Sequence, residues 1–122
     1  MEMIDLKELG FEMAHIGINQ GNAEEASKTA ALLSTLFGFS TRETDGSVFV
    51  NEQFEVMKSP FLGKNGHVAI RTNDPDKAKA YLESRGIVFN ESTANRGPDG
   101  RLNTIYFKDE IAGFAFHLVR RK

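Results

Sequence analysis

The sequence predicts an α+β fold made of two copies of one β-α-β-β-β unit. Three observations carry this expectation. The near-identical runs His15-Ile16-Gly17-Ile18 and His67-Val68-Ala69-Ile70 stand 52 positions apart. A candidate helix N-cap follows each histidine by seven residues, Asn22 in one run and Asp74 in the other. Three short β-rich runs then follow each helical stretch, separated by turn residues. With 122 residues the chain is long enough to bury one core without staples. The first unit spans about 13–60 and the second 65–120, together one domain over 13–120. The connector Ser59-Pro60-Phe61-Leu62-Gly63-Lys64-Asn65-Gly66 carries Pro and Gly where a linker wants them. Residues 1–12 lie outside the repeat as an N-terminal extension: an extra strand, a short helix or a loose arm.

Each element has its own warrant. Ile16 to Ile18 and Val68 to Ile70 are short β-rich runs. Asn22 accepts well from a first helical turn, and Glu25 three residues on makes a loose capping box. The helix that follows puts Ala26, Ala30, Leu33 and Phe37 on one stripe and stops at Gly38. Asp74 is followed by Pro75, which suits the first helical position, and Ala78, Tyr81 and Leu82 face inward before Gly86. The remaining strands are expected at Phe39–Glu43, Ser47–Val50 and Gln53–Lys58, then Ile87–Glu91, Asn103–Lys108 and Phe114–Arg120. Asp45-Gly46 signals a tight hairpin, and 95–100 reads as a loop. Phe37, Phe39, Phe49, Phe107 and Phe116 are read as core.

Bulk composition removes several functions. A formal charge of −2 argues against a general nucleic-acid binder, and Arg120-Arg121-Lys122 is too short to change that. The absence of cysteine rules out disulfides and thiolate ligands, so any metal must be bound through nitrogen and oxygen. The first residues mix acids into their apolar stretch, unlike a secretory signal, and no run approaches the ~20 apolar residues that span a bilayer. A soluble, cytoplasmic protein is expected. Gly97 to Gly100 lacks the strand–loop–helix setting of a phosphate cradle and reads as a turn.

The three histidines of the chain fall on matching beats of the repeat. His15 and His67 open the two first strands. His117 lies in the last apolar run, and Glu55 holds the matching place in the first unit, in Phe54-Glu55-Val56-Met57. Imidazole and carboxylate together suit zinc, nickel, cobalt, manganese or ferrous iron. One divalent ion held by His15, Glu55, His67 and His117 is therefore expected between the halves. Alternate residues of a strand share a face, so Gly17 and Asn19 accompany His15, and Ala69 and Arg71 accompany His67. Small residues at 17 and 69 are expected to leave room for a ligand.

The runs Ala14-His15-Ile16-Gly17-Ile18 and Gly66-His67-Val68-Ala69-Ile70, the cap Asn73-Asp74-Pro75 and the ending Gly113-Phe114-Ala115-Phe116-His117-Leu118 resemble the vicinal oxygen chelate superfamily. That superfamily includes glyoxalase I, bleomycin- and fosfomycin-resistance proteins and extradiol dioxygenases. The ending is similar to the Gly-Asn-x-x-Glu-Leu strand of the family, with His117 in place of the usual Glu. The resemblance implies curled mixed sheets forming a metal-binding cup, with ligands from the first and last strands of each module and open positions on the metal. A cup formed within one chain or across a homodimer is implied, with a homodimer favoured. The stretch Glu55 to His67 is also similar to a glyoxalase-like domain attached to some bacterial 2-keto-3-deoxy sugar-acid aldolases, which implies 2-oxo acid chemistry.

The function expected is a metal-dependent isomerase or lyase acting on a small vicinal-oxygen substrate. Glu55 moves a proton, and Arg71, Asn19 and Tyr106 are the substrate contacts, with Arg71 suited to a carboxylate or phosphate. The alternative is a non-catalytic small-molecule binding or accessory module of the same fold.

Overall fold

The computed structural model describes residues 5–122. Residues 1–4 of the N-terminal extension lie outside those described. Within the rest of that segment Asp5 caps the short helix α1 (Leu6–Leu9), and Glu12 opens the first strand, β1 (Glu12–Asn19). Leu9 is buried in the core, and its carbonyl accepts from the buried Thr72 hydroxyl at 2.6 Å, so α1 is docked on the domain.

The first unit continues through α2 (Ala23–Phe37), β2 (Thr41–Glu43), β3 (Ser47–Val50) and β4 (Phe54–Met57). The second comprises β5 (Gly66–Thr72), α3 (Pro75–Ser84), β6 (Phe89–Arg96), β7 (Leu102–Phe107) and β8 (Phe114–Arg120). The eight strands of the described residues form one curled, unclosed sheet in the order β2-β3-β4-β1-β5-β8-β7-β6. Each unit repeats the same wiring. Its first strand lies parallel to its last, β1 beside β4 and β5 beside β8. The units meet where β1 runs antiparallel to β5.

Helix starts follow from capping. The Asn22 side chain accepts from Glu25 N at 2.8 Å, and Glu25 reaches back to Gly21 N at 3.1 Å. Asp74 accepts from Lys77 N at 3.1 Å, with Pro75 at the first position. Gly38 ends α2 at φ 72°, a left-handed conformation that glycine adopts without penalty.

Strand alternation splits the side chains into two sets. Val48, Val50 and Val56 point outward under Ala26 and Ala30 of α2. Phe89, Leu102, Ile105 and Leu118 form a second core with Leu9 and with Ala78 of α3. The other face of the same strands carries polar and aromatic residues into the concave side of the sheet.

Several expectations are corrected. Phe37 is 61% exposed, because the chain turns out of α2 at Gly38 before its ring can reach the sheet. Phe39 and Phe107 pack against the two cores without being fully buried, while Phe49 faces the concave side. Phe116 is half-buried, stacked on Phe107. β2 starts two residues late, since the Phe39 carbonyl is taken by the Ser34 hydroxyl at 2.6 Å. β6 likewise starts at Phe89, because Ile87 N still donates to Leu82 O of α3. Asn95 and Arg96 extend β6, with an irregular register, where a loop was expected. Arg96 is anchored there by Asp76 and by Gly100 O.

The turn between β3 and β4 holds two non-glycine residues in the left-handed region, Asn51 at φ 55° and Glu52 at φ 58°. For a residue such as glutamate that conformation costs roughly 1 kcal/mol.

Leu102 is fully buried between α3 and the sheet. Urea denaturation of Leu102→Ala is expected to show a loss of about 2–5 kcal/mol. The exposed Phe37→Ala change should stay within about 0.5 kcal/mol. Equal costs at the two positions would contradict the assignment of core and surface.

Candidate functional site

The β1–β5 seam decides where the site lies. Strand register lines up Phe49, Glu55, Gly17, His67 and Ala115 in one row across the sheet. The neighbouring row runs His15, Ala69, His117, Tyr106 and Asn90. Side chains in register on adjacent strands share a face, so both rows point into the concavity.

Gly17 makes the seam possible. A Cβ built there would lie 2.0 Å from His67 Cε1 and 2.2 Å from its Nδ1. The space expected to admit a ligand at Gly17 is therefore filled by the His67 ring. At the next pair it is backbone that comes close, where a Cβ on Gly66 would meet Gly17 O at 1.9 Å.

Lying over Gly17, His67 turns its other nitrogen towards β4 and β1. Its Nε2 is 3.0 Å from Glu55 Oε1 and 3.2 Å from His15 Nε2, and His15 Nε2 is 3.3 Å from the same carboxylate oxygen. The three atoms form a nearly equilateral triangle. His117 completes a trio in which one ring nitrogen from each histidine lies within 4.8 Å of the others. Glu55 touches two of the three histidines, and no corresponding close contact joins it to His117. Of the sequence-predicted quartet, the three histidines come together from β1, β5 and β8, and Glu55 of β4 lies against two of them.

The surrounding groups set protonation. The Ser47 hydroxyl donates to Glu55 Oε2 at 2.8 Å. Burial opposes ionisation of Glu55, but hydrogen bonds from His15, His67 and Ser47 outweigh it and hold the carboxyl well below its ordinary range. At His117 the dominant influence is burial, reinforced by His67 and His15, and it pushes the pKa down to about 3. The Thr104 hydroxyl donates its proton to Leu118 O at 2.7 Å, so it can only accept from His117 Nδ1 at 3.1 Å. That fixes the proton on Nδ1 and leaves the lone pair on Nε2, which is buried with no hydrogen-bond partner.

These residues fit a divalent cation. Metal–nitrogen and metal–oxygen bonds of ~2.0–2.2 Å place neighbouring ligand atoms about 2.8–3.6 Å apart in octahedral or tetrahedral geometry, the size of the triangle here. The unpartnered Nε2 of His117, with its tautomer set by Thr104, is the form in which imidazole binds a metal.

The remaining candidates lie around the quartet. Tyr106 stacks on His117 with ring centroids 4.4 Å apart, and burial, then the Glu55 charge, pushes its pKa up to about 12. Phe61 meets Tyr106 edge-on at 5.9 Å. Asn19 donates through Nδ2 to Gly63 O at 3.0 Å, while its Oδ1 is buried without a partner. Arg71 stands two residues beyond Ala69 on the same face, its guanidinium held by Glu12 at 2.5 Å.

Sequence reasoning missed Ser47 and Thr104, the supports of Glu55 and His117. Strand parity would have put Ser47 on the face of Phe49 and Glu55, but nothing in its local sequence marks Thr104. Phe49, read as core, lies against the site instead, its ring 5.5 Å from that of His15.

Two β-α-β-β-β units joined seam to seam, with a polar cluster drawn from their first and last strands, are the vicinal oxygen chelate, or glyoxalase, fold, and this chain has it. Methylmalonyl-CoA epimerase from Mycobacterium tuberculosis superposes with a TM-score of 0.63 at 18% identity, covering 98% of this chain and 93% of that one. A hypothetical protein from Bacillus halodurans C-125 also gives 0.63, at 15% identity over 92% and 95% of the two chains. In sequence, the chain is 29% identical over 95 residues to lactoylglutathione lyase of Schizosaccharomyces pombe. That match covers 78% of this chain and 28% of the length of the relative. No protein-family model matches the chain. Among the described residues no helix is long and apolar enough to cross a membrane.

Two predictions follow from this geometry. Gly17→Ala should displace His67 and break the triangle while leaving the fold intact; an NMR or crystal structure with the His67 ring unmoved would contradict the role given to Gly17. The second concerns acid. In metal-free protein the folded His117 stays neutral down to about pH 3, whereas the unfolded chain takes up its proton near the ordinary value of 6.5. The unfolded state therefore binds more protons across that window, and stability falls as pH drops through it. Glu55 acts in the same direction below 4.5. Denaturant unfolding after chelator treatment should show a loss on the order of a few kcal/mol between pH 7 and pH 4, with a shallower slope in His117→Gln.

Proposed function

We propose that the chain is a divalent-metal-dependent isomerase or lyase acting on a small substrate with vicinal oxygens, a 2-oxo acid in the simplest case. The observation that carries this reading is the triangle of His15, His67 and Glu55 at coordination spacing beside the lone pair of His117. In this reading those four residues hold one zinc, nickel, cobalt, manganese or ferrous ion. When bound, such an ion supplies Lewis acidity towards a carbonyl or enolate oxygen.

The chain supplies the proton chemistry. Glu55 is ionised at neutral pH and is the proton acceptor, with Ser47 fixing its second oxygen. Tyr106, stacked on His117, stays protonated and is the donor. These shifts set the starting protonation states at neutral pH, a carboxylate ready to accept and a phenol that still holds its proton. The Asn19 amide oxygen is free to accept from a substrate hydroxyl. Arg71 contributes where a substrate anion displaces Glu12. The reaction class agrees with the names of the proteins it resembles, a lyase and an epimerase.

We place the chain in the cytoplasm, a setting that a chain without cysteine fits. We also propose a homodimer, supported by Leu32, Leu36 and Phe37, large apolar residues exposed on α2.

Metal analysis should give about one ion per chain. His67→Ala should abolish binding, and Thr104→Val should weaken it by about 10–100-fold through loss of the tautomer lock. Metal-loaded protein in deuterated water should exchange the C3 hydrogens of 2-oxo acids, followed by NMR, and Glu55→Gln should slow this by about 10²–10⁴-fold. The aromatic wall of Phe49, Phe61 and Tyr106 favours a second reading, a sequestering protein of the same fold. Tight ligand binding with no exchange would select that reading.

A further inference from the structure

The row of side chains that crosses the site continues beyond Phe49. Arg42 on β2 is the register partner of Phe49, which is in turn the partner of Glu55. The guanidinium carbon lies 4.5 Å over the centre of the Phe49 ring, whose edge contact reaches His15. Those two contacts put the guanidinium within about 10 Å of the His15 ring. Arg42 is also close enough to Glu55 for their charges to act on one another.

The guanidinium is held on two sides. Its face rests on Phe49. Nε and Nη2 donate to the two carboxylate oxygens of Glu52 at 2.8 and 2.7 Å. Glu52 sits in the left-handed turn between β3 and β4, a conformation that glutamate adopts only at a cost, and a residue held so is a pointer to function. The lock leaves both Nη1 hydrogens and one on Nη2 without a partner among the described residues. Half of the Arg42 side chain is open to solvent. A guanidinium with its plane fixed and one edge free is preorganised for a carboxylate or phosphate oxygen pair. Arg71, by comparison, is tied to a carboxylate that Arg121 also contacts.

We infer that Arg42 is an anion-binding residue of this site, and that the substrate carries a second anionic group beyond its vicinal oxygens. This rests on reading the histidine cluster as the place where those oxygens bind. The separation limits the substrate. With a coordination bond at one end and a charged hydrogen bond at the other, that bound leaves at most roughly 5 Å, the span of three or four carbon–carbon bonds. A 2-oxo acid of five or six carbons with a terminal anion falls within that limit, and pyruvate has no second anionic group to offer.

The test compares 2-oxoadipate with 2-oxohexanoate, equal in length and differing in the terminal charge. Titration calorimetry on manganese-loaded and on metal-free protein gives the preference for the dianion in each state. Wild type should prefer 2-oxoadipate by at least tenfold, and Arg42→Gln should bring the two affinities within twofold while manganese binding is unchanged. Arg101→Gln, the same charge change beside Asp74 of α3, should keep the wild-type preference. A thermal melt confirms that both variants fold. A preference that survives Arg42→Gln, or is absent from wild type, overturns the inference. Failure to bind manganese overturns the metal reading instead, and the preference on metal-free protein still decides the role of Arg42.

Discussion

The structure depends on one contact, the His67 ring lying across the bare Cα of Gly17 where β1 and β5 meet. No other residue type at position 17 admits the ring. Because the ring lies there, its Nε2 comes to the midpoint of the sheet, within reach of a carboxylate from β4 and an imidazole from β1. The antiparallel β1–β5 pairing that joins the two units is thus also what assembles the site. A histidine that would otherwise be one more strand residue becomes the centre of a network drawn from both halves.

Clustering three imidazoles and a carboxylate beneath the surface is costly, and the molecule limits that cost by controlling charge. His117 is kept neutral by burial and by its neighbours, with its proton parked on Nδ1 by a threonine whose own proton is committed elsewhere. Glu55 carries the one firm charge and has donors on both oxygens. The Nε2 lone pair of His117 is among the buried polar atoms left without a partner. At that one position a cation binds without first displacing a proton. The two cores behind the sheet contribute rigidity. Helices α2 and α3 each pack on the outer face of their own unit, so neither crosses the concave side.

Much of this was legible in the chain. The repeat, the caps at Asn22 and Asp74 and the alternation of the strands are local features, and local chemistry dictates them whatever surrounds them. The four candidate ligands were legible for a related reason. Repeat symmetry carries each position of one unit onto the other, so His15 with His67, and Glu55 with His117, stand as pairs before any fold is known. Phe37 and Phe49 were misplaced because apolar character does not say which side of a helix end or strand will be covered. The extra length of β6 was hidden by turn-forming residues, Asn95 among them, that a bulged strand also tolerates.

The sequence by itself determined the elements, their order, their duplication and the residues able to ligate, because each of these follows from neighbours along the chain. Only the tertiary structure decided that Gly17 makes room for a ring and not for a ligand, and that Ser47 and Thr104 orient Glu55 and His117. It alone set Arg42 over Phe49 at the edge of the site. Those relations are distances between strands remote in sequence, set by sheet register and close packing, and no local pattern encodes them.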